Sequence, residues 1–196
     1  MSELSNDALE TIFLSARSRN GWHDKPVPES LLREIYEIAK LGPTTMNSQP
    51  QRIVFVTTQA GKKMLEPALG EGNRVKAMSA PVVAIFAFDP HFYELLPTLF
   101  PHLPDAKNWF VGQDAKNRET ALRNGSLQAA YFIIAARAKG LDCGPMSGFD
   151  QGKVDEAFFP DGRFKSNFIC ALGHGTDERL FGRSPRLTFE EACRIE

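Results

Sequence analysis

The chain has little cysteine and almost no net charge. Its three cysteines, Cys143, Cys170 and Cys193, are few, odd in number and widely separated, which excludes a disulfide framework. No two have the spacing of zinc ligands, and His23, His91, His102 and His174 form no HExxH-type cluster, so no metal site is expected. A formal net charge of -1 gives no general affinity for nucleic acid or acidic membranes. The longest apolar stretches are too short to cross a bilayer. From Met1 to Leu14 the sequence is acidic and helix-like and lacks the basic region and apolar run of a secretory signal. A reducing cytoplasm is the expected location.

Common catalytic signatures are missing too. There is no GxGxxG after a strand, no GxxxxGK[ST] loop and no GxSxG elbow, which argues against a Rossmann dinucleotide site, P-loop phosphoryl transfer and a serine hydrolase. Gly144-Pro145-Met146-Ser147-Gly148 resembles the elbow only loosely. It has an extra residue before its serine and no assigned acid or histidine partner.

What is present describes a folded protein. The 196 residues fit one domain spanning 1–196, and 42% hydrophobic with 24% charged residues suffices for a core without staples. Residues 6–18 read as a helix capped by Asn6 or Asp7, with Leu9, Ile12, Phe13 and Ala16 on one face. A second helix runs from about Pro28 to Leu41 with Leu31, Ile35, Ile38 and Ala39 inward, ended by Gly42 and Pro43. Arg52–Thr57 reads as a strand, 59–68 as a short helix, and Val82–Phe88 as a strand covered on both faces. Residues 90–113, with four prolines and many aromatics, form a long irregular segment, and such segments are often functional. A long helix covers 115–139 despite Gly125, which costs roughly 1 kcal/mol against Ala. A strand near Asp142–Pro145, a helix capped by Asp150, a strand at Phe168–Leu172 and an irregular tail complete the chain. Helices and strands mix without regular βαβ alternation, so the class is α+β.

Four polar turn segments remain: Arg17-Ser18-Arg19-Asn20, Pro43 to Pro50, Asn73-Arg74-Val75-Lys76, and Arg183-Ser184-Pro185-Arg186. Taken singly they read as a solvated helix end, a connection, an exposed helix face and a charged tail. Together, and in this order, they resemble the nitroreductase family of FMN enzymes over nearly the whole chain. Pro43-Thr44-Thr45-Met46-Asn47-Ser48-Gln49-Pro50 is similar to that family's Pro-Ser-Ser-x-Asn-x-Gln-Pro block before a strand. Asn73-x-x-Lys76, Gly140-Leu141-Asp142 leading to Pro145–Asp150, and Leu172-Gly173-His174-Gly175 followed by Arg183 match further. The segments Asn20-Gly21-Trp22, Phe92-Tyr93-Glu94, Leu99-Phe100-Pro101-His102 and Phe189-Glu190-Glu191-Ala192 resemble the malonic semialdehyde reductases of pyrimidine degradation.

The resemblance implies a central mixed β-sheet surrounded by helices. It also implies an intertwined homodimer with FMN at the interface, each flavin touched by both chains. It places Arg17 and Arg183 on the phosphate with Ser18 beside them, and Arg186 as a weaker candidate. The family's basic residue near position 20 is Asn20 here, a departure that weakens the expected charge; Arg19 is offset by one residue. Lys76 would stabilise the reduced ring, Asn73 would bond its pyrimidine side, and Pro145, Met146, Ser147 and Gly148 would reach its N5/O4 edge. Pro43, Thr44, Thr45 and Asn47 would come from the second chain. No side chain need act as acid or base, because the flavin carries the hydride. The implied cycle is ping-pong, with NAD(P)H and then a small aldehyde or other electrophile in the same place. Alternatives are a broad-range nitroaromatic or quinone reductase, a flavin-binding protein without turnover, and a structural dimer module. Phe92, Tyr93, Phe100, Trp109 and Phe110 either cover the substrate or pack the core. Gly125 is a candidate for close packing between chains, and Cys143 is a small packing residue.

Overall fold

Alternation along one strand organises the molecule. In the computed structural model, which describes residues 3–196, strand β3 (Val82–Phe88) is buried along its whole length. Val82, Ala84 and Phe86 join one core cluster, and Val83, Ile85 and Ala87 join another on the opposite face, as a period of two requires. β3 sits inside a four-stranded sheet of order β2-β3-β5-β4, with β2 at Gln51–Val56, β4 at Asp142–Met146 and β5 at Lys165–Gly173. All three pairings are antiparallel. Among the described residues the parallel component is a single bridge, Ser18 to Cys143.

One face of the sheet is covered by α2 (Glu29–Ala39) and the long α6 (Asp114–Ala138), through Leu32, Ile35, Ala129, Phe132 and Ala136. The other face is covered by α3 (Gln59–Leu65), α4 (Glu71–Ser79) and α7 (Gln151–Phe158), through Leu65, Ala77 and Val154. Asp150 caps α7 by accepting from the Lys153 N–H, as expected.

Several expectations change. The first helix does not run to 18: α1 (Asn6–Leu9) passes into a π-helical turn over Glu10–Leu14, and Ser5, not Asn6 or Asp7, caps it. No residue of that helical segment is fully buried: Leu9 and Ile12 are half-covered, while Phe13 and Leu14 are exposed. Ile38 points outward, and Leu32 takes the inward place. The 90–113 segment is built of 3-10 turns and a short α5 (Leu96–Leu99) around a third core cluster of Phe88, Phe92, Leu96, Ala106, Phe110 and Ala121. Phe92 and Phe110 are therefore core residues, while Trp109 is exposed. Gly125 packs against the chain's own sheet: a Cβ there would lie 3.2 Å from Phe88 Cβ. The tail is not wholly irregular. β6 (Gly175–Thr176) pairs with β1 (Gly21–Trp22), and α8 (Phe189–Ala192) carries a capping box from Thr188 and Glu191. The reading of the N-terminal stretch at Met1 and Ser2 lies outside the described residues. Among the described residues no helix is long and apolar enough to cross a membrane.

Candidate functional site

The β1–β6 pairing brings the C-terminal tail across the end of the N-terminal helical segment. The π turn closes with the Ser15 N–H on Glu10 O at 2.9 Å. The chain then runs beside β4, where Arg19 N–H donates to Cys143 O at 3.1 Å. The returning tail is pinned by Asn20 Nδ2 on Arg179 O (2.9 Å) and Arg17 Nη2 on Phe181 O. Arg183 Nη2 reaches back to Leu14 O and, at 3.1 Å, to Ala16 O. Between these segments lies a cavity of about 470 Å³ lined by Arg17, Ser18, Asn20, Arg183 and Arg186, and also by Arg137. Among the described residues none of its four arginines pairs with a carboxylate. Each guanidinium has five donors, so the carbonyl bonds leave most of them for an anion. The cavity thus has the chemistry of a phosphate site.

Arg19 is not part of it. Its Nε donates to Asp142 at 3.2 Å and its Nη1 to Asp177. Burial works against its charge, but these carboxylates outweigh that and raise its pKa. Arg19 fastens the tail to β4, and Asn20 rather than Arg19 faces the cavity.

A second cluster lies further along β4. Trp22 Nε1 donates to Lys76 O at 3.0 Å, fixing α4 against β1. The Lys76 stem passes over Gly144, where a Cβ would lie 3.3 Å from Lys76 Cδ and 2.7 Å from Arg19 O. Burial lowers the Lys76 pKa, since an ammonium in poor contact with water is penalised. One turn earlier on α4, Asn73 Nδ2 donates to Gly148 O at 3.1 Å, and Gly70 N–H donates to the same oxygen at 3.0 Å. A Cβ at Gly148 would lie 2.6 Å from Asn73 Nδ2, so the contact requires glycine. Asn73, Lys76, Ser147 and Gly148 are thus drawn together. Pro145 pairs with Cys170 inside β4, and the Met146 side chain is buried in the core, leaving its backbone for any site role. Cys143 is fully buried, as a packing residue should be. The two clusters are joined by β4, where Cys143 to Ser147 spans about 13 Å at ~3.3 Å per residue.

Pro43, Thr44, Thr45 and Asn47 are not brought to this site within one chain. Their loop leads into β2, the sheet edge opposite β4, three strand spacings or about 14 Å away. Met46, Asn47 and Gln49 have φ of 47°, 49° and 42°, a strained set for non-glycine residues. Tertiary bonds hold it: Thr45 N–H on Asn124 Oδ1 (2.8 Å), Tyr131 O–H on Pro43 O (3.0 Å) and Asn47 Nδ2 on Leu99 O (2.8 Å).

The sequence reading missed Arg137. It stands in an Ala-Ala-Arg-Ala-Lys-Gly stretch at the end of α6, where nothing local sets it apart from a helix-end cation.

A model of the Nitroreductase family matches residues 15–174. A Cupriavidus pinatubonensis protein whose name carries the words NADH dehydrogenase/NAD(P)H nitroreductase is 55% identical over 193 residues, 97% of this chain and 98% of its own. A Ralstonia pickettii protein with the same words and the name HadB is 55% identical over 190 residues, 96% and 97% of the two chains. Among solved structures, a Bacillus subtilis nitroreductase-type protein superposes with TM-score 0.89 at 22% identity, covering 98% of this chain and all of that one. One from Exiguobacterium sibiricum, solved in complex with FMN, superposes at 0.85 and 19% over the full length of both. These two carry the fold, and the family model with the near relatives carries the kinship: the chain belongs to the nitroreductase family.

Proposed function

We propose that the protein is a homodimeric FMN-dependent NAD(P)H oxidoreductase, one domain over residues 1–196, that reduces malonic semialdehyde to 3-hydroxypropionate in pyrimidine degradation. The oxidoreductase class, FMN and NAD(P)H rest on family membership. The observation that carries the site is the continuity of its two clusters along β4. The cavity of arginines without countercharge includes Ser18, which bridges to Cys143, and Asn73, Lys76 and the Ser147–Gly148 turn lie toward the far end. A phosphate joined through a polar chain to a flat ring fits that arrangement.

Bound FMN supplies the two-electron step, taking a hydride from NAD(P)H and handing it to the substrate. Arg17 and Arg183, with Ser18 and Asn20, would hold the phosphate by charge-assisted bonds. Lys76 would stabilise negative charge at the ring's N1–C2 edge. The Ser147 and Gly148 backbone would approach N5, where a Cβ at 148 would push the Asn73 amide off its bond to Gly148 O. An aldehyde substrate would gain the hydride at its carbonyl carbon, with a proton from solvent on its oxygen and NAD(P)+ released.

Homodimer formation is supported by what the chain leaves uncovered. Phe13, Phe181, Leu187 and Ile195 are 54%, 80%, 69% and 84% exposed. The outer edge of β2 is unpaired in this chain, beside a groove of about 790 Å³ lined by Leu32, Tyr36 and Phe55. A second chain would cover these and bring its Pro43–Asn47 loop to the ring.

A second reading, a broad-range nitroaromatic or quinone reductase, is favoured by the names the near relatives carry. One anaerobic visible spectrum separates the two. A flavin band that bleaches with NAD(P)H and returns with malonic semialdehyde supports the first. A band that returns only with a nitroaromatic or quinone supports the second. A bound flavin that ignores NAD(P)H would overturn both and leave a flavin-binding protein without turnover.

A further inference from the structure

Arg137 projects from the last turn of α6 into the cavity between the N-terminal segment and the tail. Its Nη1 donates to Ile12 O, in the π turn, at 3.0 Å. Its Nε is buried and has no hydrogen-bond partner. A buried donor left without an acceptor is costly. Among the described residues no carboxylate pairs with it. A helix-capping role accounts for the Ile12 bond alone. It leaves the buried, unpaired Nε without a reason.

The same cavity has a gap in its charge. Asn20 stands where a basic residue is expected, and its amide is engaged with Arg179 O. Arg19, its neighbour, is turned away to Asp142 and Asp177. The cation missing from the N-terminal strand is thus present on the opposite wall, on α6.

We propose that Arg137 is a phosphate-binding residue of the flavin site, supplying from α6 the positive charge that position 20 does not provide. This rests on the reading of the cavity as the FMN phosphate site. A dianionic monoester there meets Arg17 and Arg183 from the N-terminal segment and the tail, and Arg137 from the sheet-covering helix. All three elements then close on one group. Arg137 also links the phosphate to Ile12 O, so the anion, the π turn and the C-terminal end of α6 are held as a unit.

The test compares FMN with riboflavin, which differs only in lacking the phosphate. Apoprotein of the wild type, Arg137→Gln and Arg137→Lys is titrated with each flavin, and binding is read from flavin fluorescence. Arg137→Gln keeps a donor for Ile12 O but has no charge. The expected result is an FMN affinity lowered about ten- to a hundredfold, the scale of one charge-assisted bond, with riboflavin affinity unchanged within about twofold. Arg137→Lys recovers part of the loss. An unchanged FMN-to-riboflavin ratio in Arg137→Gln overturns the proposal, as does an equal loss for both flavins, which is what a purely structural role gives. A wild type that binds FMN no better than riboflavin instead overturns the reading of the cavity itself. If Arg137→Gln does not fold, Arg137→Lys with inorganic phosphate decides. Phosphate should raise the thermal midpoint of wild-type apoprotein more than that of the lysine variant, and equal shifts reject the role.

Discussion

Lys76 sits where burial and function pull in opposite directions. Desolvation lowers its pKa below the ordinary lysine value of 10.5, yet its proposed task needs the charged form. The charge is present below the lowered pKa and is lost as pH rises through it. Reduction by NAD(P)H should therefore decline on the alkaline side before pH 10.5. In apoprotein the sign for stability is opposite: a base with a depressed folded pKa costs most while charged, so this group's penalty is relieved as pH rises through that value. Lys76→Met should remove the alkaline limb, lower the flavin midpoint potential and slow reduction about 100-fold, the scale of losing one preorganised electrostatic contact. Stopped-flow bleaching across pH and a potentiometric titration check this; an unchanged potential would reject the role. Lys76 was singled out in the sequence by the resemblance of Asn73-x-x-Lys76 to the family's motif. Arg137 was not, because its meaning depends on which segments α6 happens to face.

At the scale of elements, β4 acts as the rail of the site. Gly144 lets the Arg19 backbone and the Lys76 stem approach it together. Gly144→Ala would place a methyl 2.7 Å from Arg19 O, a backbone atom that cannot yield cheaply. We expect a loss of about 1–3 kcal/mol, measured by urea unfolding, together with weaker FMN retention. A second device anchors the irregular segment. Asp89, with a side chain 1% exposed, accepts from Arg52 at 3.3 Å and from Arg163 at 2.9 Å, and Arg163 also pairs with Glu94. Arg52 further donates to Gln49 O at 3.0 Å, at the end of the strained loop. Asp89→Ala should cost about 1–3 kcal/mol, the scale of hydrogen bonds to a charged group, because the two arginines left behind are 28% and 37% exposed and reach water. It should loosen both the 43–50 loop and the 90–95 turn, seen as faster amide exchange there. Both long helices, β3 and the Asp150 cap followed from periodicity and capping rules. The early end of the first helix, the β1–β6 pairing and the 3-10 turns of 92–109 did not, because two-residue ladders and short turns leave almost no pattern in sequence.

For the whole molecule, the uncovered apolar surface is the dominant fact. Phe13, Leu187 and Ile195 are each more than half exposed. Sedimentation should give a mass of about twice the chain's 21.8 kDa, as expected of a closed two-fold pair. Replacing both Leu187 and Ile195 by Asp should shift the population toward monomer at micromolar concentration and release flavin in parallel. A dimer that persists with full flavin would show that the tail is not the contact. By itself the sequence determined the α+β class, the strands of the core and, through the order of its polar turn segments, the resemblance to the family. Periodicity and short-range spacing carry that information within a few residues. Only the tertiary structure decided that Arg19 fastens the tail, that Arg137 faces the cavity, that Gly125 packs on Phe88, and that the Pro43–Pro50 loop lies across the sheet from Lys76. Each of these depends on which distant segments meet, and a pattern local in sequence cannot encode the direction of a side chain across a fold.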